Sequence, residues 1–179
     1  MRLFVALDIS EELKKELALL EESLSGCHSL RFVKPENIHL TLKFLGEVRD
    51  EKLGKVKEVL SGVRFGGVKL STTRIGTFPG VLWLGVKLGS DLAQLQQKVQ
   101  RGVLQFAMRD PRPYKPHLTV ARFQSLSPQE RESVDSAVRE RRIEVSWKAD
   151  SFTLYRSKLT PQGPVYEELA VFGARQQLS

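Results

Sequence analysis

The chain has 179 residues, 41% of them apolar and 27% charged, with a formal net charge of +7 and a pI near 9.7. That length suits one domain or two small lobes sharing a core, and the composition is that of an ordinary soluble globular protein. The absence of an uninterrupted apolar run of about 18 residues argues against a membrane span, and a single cysteine, Cys27, rules out an internal disulfide and fits a reducing, cytoplasmic interior.

In chain order, "RLFVALDI" at 2–9 reads as a buried strand. Its apolar stretch is short and acidic residues follow at once, which is not the pattern of a signal peptide. Ser10, with Glu11 and Glu12 behind it, predicts a helix N-cap, and Leu13, Leu17, Leu20 and Leu24 form one stripe. A strand follows in "NIHLTLKFLGEV" at 37–48, and Asp50 is expected to cap a helix carrying Leu53, Val56, Val59 and Leu60. "GVKLSTTRIG" and "VLWLGVKL" read as a strand pair joined through a turn at Phe78-Pro79-Gly80. Ser90 opens the next helix, with Leu92, Leu95, Val99, Val103 and Phe106 inward. A second strand lies in "KPHLTVARF" at 115–123, and Ser127-Pro128 with Glu130 is a capping box that starts a helix through about Arg139. Strands near 143–148, 152–158 and 166–172 complete the chain. The order is β-α-β-α-β-β, then α-β-α-β-β-β. It predicts an α+β fold, bilobal with approximate internal two-fold symmetry, in which two mainly antiparallel sheets flanked by helices face a central cleft within a single domain over 1–179.

The chain holds only three histidines, and two of them, His39 and His117, open the same tripeptide His-Leu-Thr. Chance produces that on the order of once in ten thousand chains of average usage. Residues i and i+2 of a strand point the same way, so His39 shares a face with Thr41, and His117 with Thr119. A single such motif is ordinary; the repeat carries the signal. Histidine serves as acid or base near neutral pH. One imidazole can activate water while a second, on the opposite side, protonates a leaving oxygen, and two hydroxyls can hold the non-bridging oxygens of a phosphate between them. This suits in-line displacement at phosphorus.

Positive charge gathers at the second motif: "RDPRPYKPHLTVAR" holds Arg109, Arg112, Lys115 and Arg122 against Asp110 alone. A basic surplus favours anionic partners, RNA, DNA and phosphorylated metabolites first. Metal binding is the rival use of histidines, but zinc usually takes at least three protein ligands and no third residue recurs near the motifs. Cys27-His28 lacks common ligand spacing. No Gly-rich phosphate loop, Gly-x-Ser-x-Gly elbow or His-Glu-x-x-His occurs, so catalysis without metal or other cofactor is expected.

On these motifs, together with "RLFVALDI", the Phe78-Pro79 turn before "VLWLGV", and "FTLYRSKLTPQGPVYEEL", the chain resembles the two-histidine phosphoesterases, specifically the RNA 2′,3′-cyclic phosphodiesterases long called 2′-5′ RNA ligases. The resemblance implies a bilobal fold and opening of a terminal 2′,3′-cyclic phosphate to a 2′-phosphate. It implies His39 as proton donor, His117 as acceptor, and Thr41 and Thr119 on the phosphate. Arg122 matches a phosphate-contacting arginine, yet simple alternation turns it away from His117, so a bend or bulge near Ala121 is required. Lys43 has cleft parity and can meet RNA phosphates or stay solvated. Tyr114 can stack on a base; Phe44 can too, but its parity matches Leu42 and favours the core. Arg156 and Lys158 can line the cleft or be merely exposed, and Trp83 and Trp147 read as core. The expected partner is RNA or an oligonucleotide with a 2′,3′-cyclic phosphate end, bound by a monomer that engages no membrane. The competing reading is a non-catalytic module that grips an RNA-end phosphate without turnover.

Overall fold

A computed structural model describes residues 1–107, 112–161 and 163–174. In chain order the elements are β1 (Arg2–Asp8), α1 (Glu11–Ser23), β2 (Arg31–Phe32), a 3-10 turn (Pro35–Asn37), β3 (His39–Glu47), a second 3-10 turn (Asp50–Lys52) and α2 (Leu53–Ser61). There follow β4 (Val68–Phe78), β5 (Val81–Val86), α3 (Ser90–Val103), β6 (His117–Arg122), α4 (Pro128–Glu140), β7 (Ser146–Ala149), β8 (Ser151–Thr160) and β9 (Gly163–Gly173). One sheet has the order β3-β1-β8-β9 and the other β2-β6-β5-β4-β7, with antiparallel pairing throughout. The α+β expectation with two antiparallel sheets holds.

The lobes, however, are not the two halves of the sequence. β8 and β9, at the C-terminal end of the described chain, pair onto β1 and complete the sheet that β1 and β3 begin, while the other sheet is built from the middle of the chain. β1 is thus sandwiched between β3 and β8, and all five residues from Leu3 to Leu7 are buried. Leu3, Val5 and Leu7 join the main core with the α1 stripe of Leu13, Leu17 and Leu20. Phe4 and Ala6, on the other face of the strand, are covered from the cleft side.

Helix ends follow local chemistry where a local partner exists. The Ser10 hydroxyl accepts from the Leu13 amide, and Ser127 and Glu130 form the reciprocal capping box. One expected cap fails. Asp50 opens the second 3-10 turn, and α2 starts at Lys52 without a side-chain cap; the Asp50 carboxylate lies 3.6 Å from the N-terminal ammonium instead. α3 begins at Ser90, as expected, with Gly89 as its N-cap and the Ser90 hydroxyl turned to Asp91. Among the described residues, no helix is long and apolar enough to cross a membrane.

Candidate active site

β3 is an edge of its sheet, and β6 is covered on its outer side only by the two residues of β2, opposite Ala121 and Arg122. The uncovered part of β6, which begins with His117, lies beside β3. The Tyr114 hydroxyl, on the segment leading into β6, donates to the Thr41 backbone carbonyl at 3.0 Å and ties the two motif strands together. The two motif strands, from different sheets, are therefore brought side by side.

The register shows how each strand presents its motif. Asp8 pairs with His39, Leu7 with Leu40 and Ala6 with Thr41, so His39 and Thr41 share the face of Ala6 and Asp8 while Leu40 enters the core. Val5 then pairs with Lys43, which leaves Leu42 as an extra, bulged residue. β6 repeats this: Gly85 pairs with His117 and Trp83 with Thr119, but Leu82 pairs with Ala121 and Val120 is extra. Each His-Leu-Thr is followed immediately by a bulge.

The bulges decide where the next side chains go. In β6 the bulge returns Arg122, opposite Val81, to the face of Trp83 and Thr119, as the family resemblance required and simple alternation did not. In β3 the same device corrects two expectations. Lys43 is turned to the Val5 face and is 2% exposed; it is neither solvated nor on the cleft face, so its parity argument for RNA contact fails. Phe44, expected in the core, pairs with Phe4 on the cleft face and is 58% exposed. Tyr114 is also reassigned: its ring packs against the core and its hydroxyl is taken by Thr41, which makes it a strut between strands and not a platform for a base. Trp83 is half-buried on the cleft face beneath Phe78, and Trp147 is partly exposed, donating to the Asp8 carbonyl at 3.2 Å. Arg156 and Lys158 converge on Glu167. Arg109 and Asp110 lie outside the described residues.

Each imidazole rests on aromatic rings and on a carbonyl two residues back. The His117 Nδ1 is 2.8 Å from the Lys115 carbonyl, so it must carry the proton; in the neutral ring Nε2 then holds the free lone pair. Phe78 meets this ring edge-on at 5.5 Å. His39 is bonded to the Asn37 backbone, stacks on Phe4 at 4.7 Å and meets Tyr166 edge-on at 5.1 Å. Burial among these rings lowers its pKa to about 4, against the opposing pull of the Asn37 bond and of the Asp8 charge. Asp8 itself accepts from the Tyr155 hydroxyl at 2.8 Å.

Tyr166, Tyr155 and Asp8 were not singled out in the sequence. Burial pushes the Tyr166 phenol up, and the charges of Arg122 and Arg2 oppose that push. The charge of Arg122, on the other sheet, is thus felt by Tyr166, whose ring lies 5.1 Å from that of His39. Among the described residues, no group of three or more His, Cys, Asp or Glu side chains gathers to hold a metal ion.

Residues 9–160 match the sequence profile of the 2′-5′ RNA ligase superfamily. An Archaeoglobus fulgidus protein named RNA 2′,3′-cyclic phosphodiesterase is 37% identical over 177 residues, covering 96% of this chain and 99% of that protein. A Thermotoga maritima protein of the same name is 33% identical, covering 94% and 93%. Among solved structures, a Thermus thermophilus protein superposes with a TM-score of 0.81 at 27% identity, covering 98% of both chains. E. coli LigT complexed with 3′-AMP gives the same TM-score at 25% identity and the same coverage. With a His-Leu-Thr strand in each of two antiparallel sheets, the two strands side by side, and with these matches along nearly its whole length, the chain belongs to the 2′-5′ RNA ligase superfamily.

Proposed function

We propose that the protein hydrolyses RNA 2′,3′-cyclic phosphate ends to 2′-phosphates by two-histidine acid–base catalysis in one two-lobed domain. The observation that carries this reading is the duplicated presentation: two strands of different sheets each set a histidine and a threonine on the cleft face, and each then bulges. A water oxygen attacks phosphorus and loses its proton to the free Nε2 of His117. The P–O3′ bond breaks on the opposite side, and O3′ takes a proton from His39. The products are a 2′-phosphate monoester and a free 3′-hydroxyl. Thr41 and Thr119 hydrogen-bond the non-bridging oxygens, and Arg122 offsets their charge. A 5′-hydroxyl in place of water makes the same displacement a 2′-5′ ligation. We place the protein in the reducing cytoplasm, in keeping with its one free and buried cysteine, acting as a monomer.

His39 is neutral near pH 7 in the free protein, because burial holds its pKa at about 4. As donor it needs the bound cyclic phosphate anion to raise that value. The same burial favours a second reading, in which His39 accepts the proton and His117 donates it.

Incubation with a 2′,3′-cyclic nucleotide in chelator, followed by product analysis, tests the reaction: 2′-phosphate must form, and a module that only grips the phosphate returns the substrate unchanged. His39→Ala and His117→Ala are each expected to slow turnover roughly 10²–10⁴-fold with the fold intact. A substrate with sulfur bridging at the 3′ position separates the roles, since a thiolate leaves without a proton. Rescue of His39→Ala alone supports His39 as donor; rescue of His117→Ala alone reverses the roles.

A further inference from the structure

On the cleft face of the sheet that holds His39, the strand pairings set side chains in rows. Arg2 pairs with Ser157 and Ser157 with Tyr166, so β1, β8 and β9 place an arginine, a serine and a tyrosine in one row. Arg2 shares the face of Phe4, about 7 Å along the strand, with the core residue Leu3 between them on the other face. Phe4 meets the Tyr166 ring at 4.9 Å and the His39 ring at 4.7 Å. The row therefore borders the site on its His39 side.

A surface arginine is ordinarily just solvated. Here three donors stand together with nothing to bond. Of the chain's three tyrosines, Tyr155 donates to Asp8 and Tyr114 to Thr41. Among the described residues, no hydrogen bond engages the hydroxyl of Tyr166 or of Ser157, and no hydrogen bond or ion pair engages the Arg2 guanidinium. The carboxylates nearby are turned elsewhere. Glu47, opposite Arg2, lies 3.5 Å from the N-terminal ammonium, Glu167 goes to Lys158 at 2.7 Å, and Glu168 sits one row further in, beside Tyr155. Neighbouring strands are about 4.8 Å apart, so Arg2 and Tyr166 start about 10 Å from one another with the short Ser157 between them. The charge of Arg2 is felt by the Tyr166 phenol, as is that of Arg122 from the other sheet. A notch flanked by a guanidinium and a phenol and floored by a serine hydroxyl fits a phosphate, which takes charge-assisted hydrogen bonds from such donors. An RNA that ends in a 2′,3′-cyclic phosphate continues only through O5′ of its last ribose. The next phosphate beside the site is therefore the one on that oxygen.

We infer that Arg2, with Ser157 and Tyr166, binds the phosphate on O5′ of the nucleotide that carries the cyclic phosphate. The inference rests on the hydrolase reading given above, and Arg2 is on that account a substrate-binding residue with no part in proton transfer. The test compares wild type, Arg2→Gln and Arg2→Glu on two substrates. One is adenosine 2′,3′-cyclic phosphate; the other is the same compound with a methyl phosphodiester on O5′, which adds the phosphate without a second base. On the diester Arg2→Gln should raise KM roughly 10- to 100-fold, and Arg2→Glu further, while kcat stays within about 3-fold. On the compound without a 5′ phosphate the three proteins should agree. Arg2 is exposed, so the variants keep the fold, which an unchanged Tm verifies. An unchanged KM on the diester overturns the inference, and so does a rise no greater for Arg2→Glu than for Arg2→Gln. An equal loss on both compounds overturns it as well, because Arg2 then acts on the cyclic phosphate itself. If wild type turns over neither compound, the hydrolase reading fails instead. The row is then decided by calorimetric titration with adenosine 2′,5′-bisphosphate against 2′-AMP, where wild type should prefer the bisphosphate and Arg2→Gln should not.

Discussion

His39 and His117 are held by the same backbone device but sit in different media. Each ring is bonded to the backbone two residues before it, which fixes its orientation. His39 is packed among Phe4, Tyr155 and Tyr166, and burial lowers its pKa from 6.5 to about 4. The unfolded chain therefore takes up a proton at a pH where the folded ring still refuses one. Stability from this residue is full above pH 6.5 and is lost as pH falls toward 4, an effect on the order of 3 kcal/mol. Urea unfolding of wild type should show a steeper loss over that range than His39→Gln, which has no titrating ring. Parallel slopes would mean that His39 is solvated and its aromatic seat is loose.

At the scale of elements, the capping box of α4 reaches beyond its own helix. Glu130 accepts from the Ser127 amide at 2.8 Å and also from the Ser29 amide at 2.8 Å and the Ser29 hydroxyl at 3.0 Å. Ser29 lies two residues before β2, the short strand that pairs with Ala121 and Arg122. A local helix signal thus also anchors the strand that covers the Arg122 end of β6. The backbone bonds from Ser127 and Ser29 bring the Glu130 carboxyl down to about 2. Its contribution is present above the ordinary value of 4.5 and disappears as pH falls through about 2. Glu130→Gln should lower Tm at pH 7, with the gap to wild type closing between about pH 4.5 and 2. A gap that is constant with pH would show that the carboxylate charge is not what holds the segment.

At the scale of the whole molecule, the hydroxyl of Tyr114 links the two motif strands, and burial pushes its phenol up. Tyr114→Phe removes the donor and leaves the Thr41 carbonyl without it, a cost of about 1–2 kcal/mol in denaturant unfolding. Turnover should fall modestly while KM for a cyclic mononucleotide changes little. An unchanged unfolding midpoint would show that the strut is dispensable. The net charge of +7 acts over longer distances. Binding of an RNA longer than a dinucleotide should weaken with rising salt, through counterion release, more steeply than binding of a cyclic mononucleotide. Equal slopes would mean that the basic residues do not track RNA.

What the sequence determined by itself is what depends on near neighbours. The caps at Ser10 and Ser127 need partners only three residues away, and His39 and Thr41 share a face because alternation holds over two residues. The repeat of His-Leu-Thr made the chemistry legible without any contact being known. Tertiary structure decided the rest, because register belongs to a pair of strands and not to either one. Alternation failed at Leu42 and Val120, where the partner strand has one residue fewer. The bulge in β6 was foreseeable only through the family resemblance, which needs Arg122 on the cleft face; the same step in β3 would have placed Phe44 in the cleft and Lys43 out of it, had the repeat been applied to both strands. Asp50 went to the N-terminal ammonium, and β8 and β9 went to the sheet of β1, because their best partners lie far away in the chain. The burial that lowers His39 likewise comes from rings on β1, β8 and β9, which only the folded chain assembles around it.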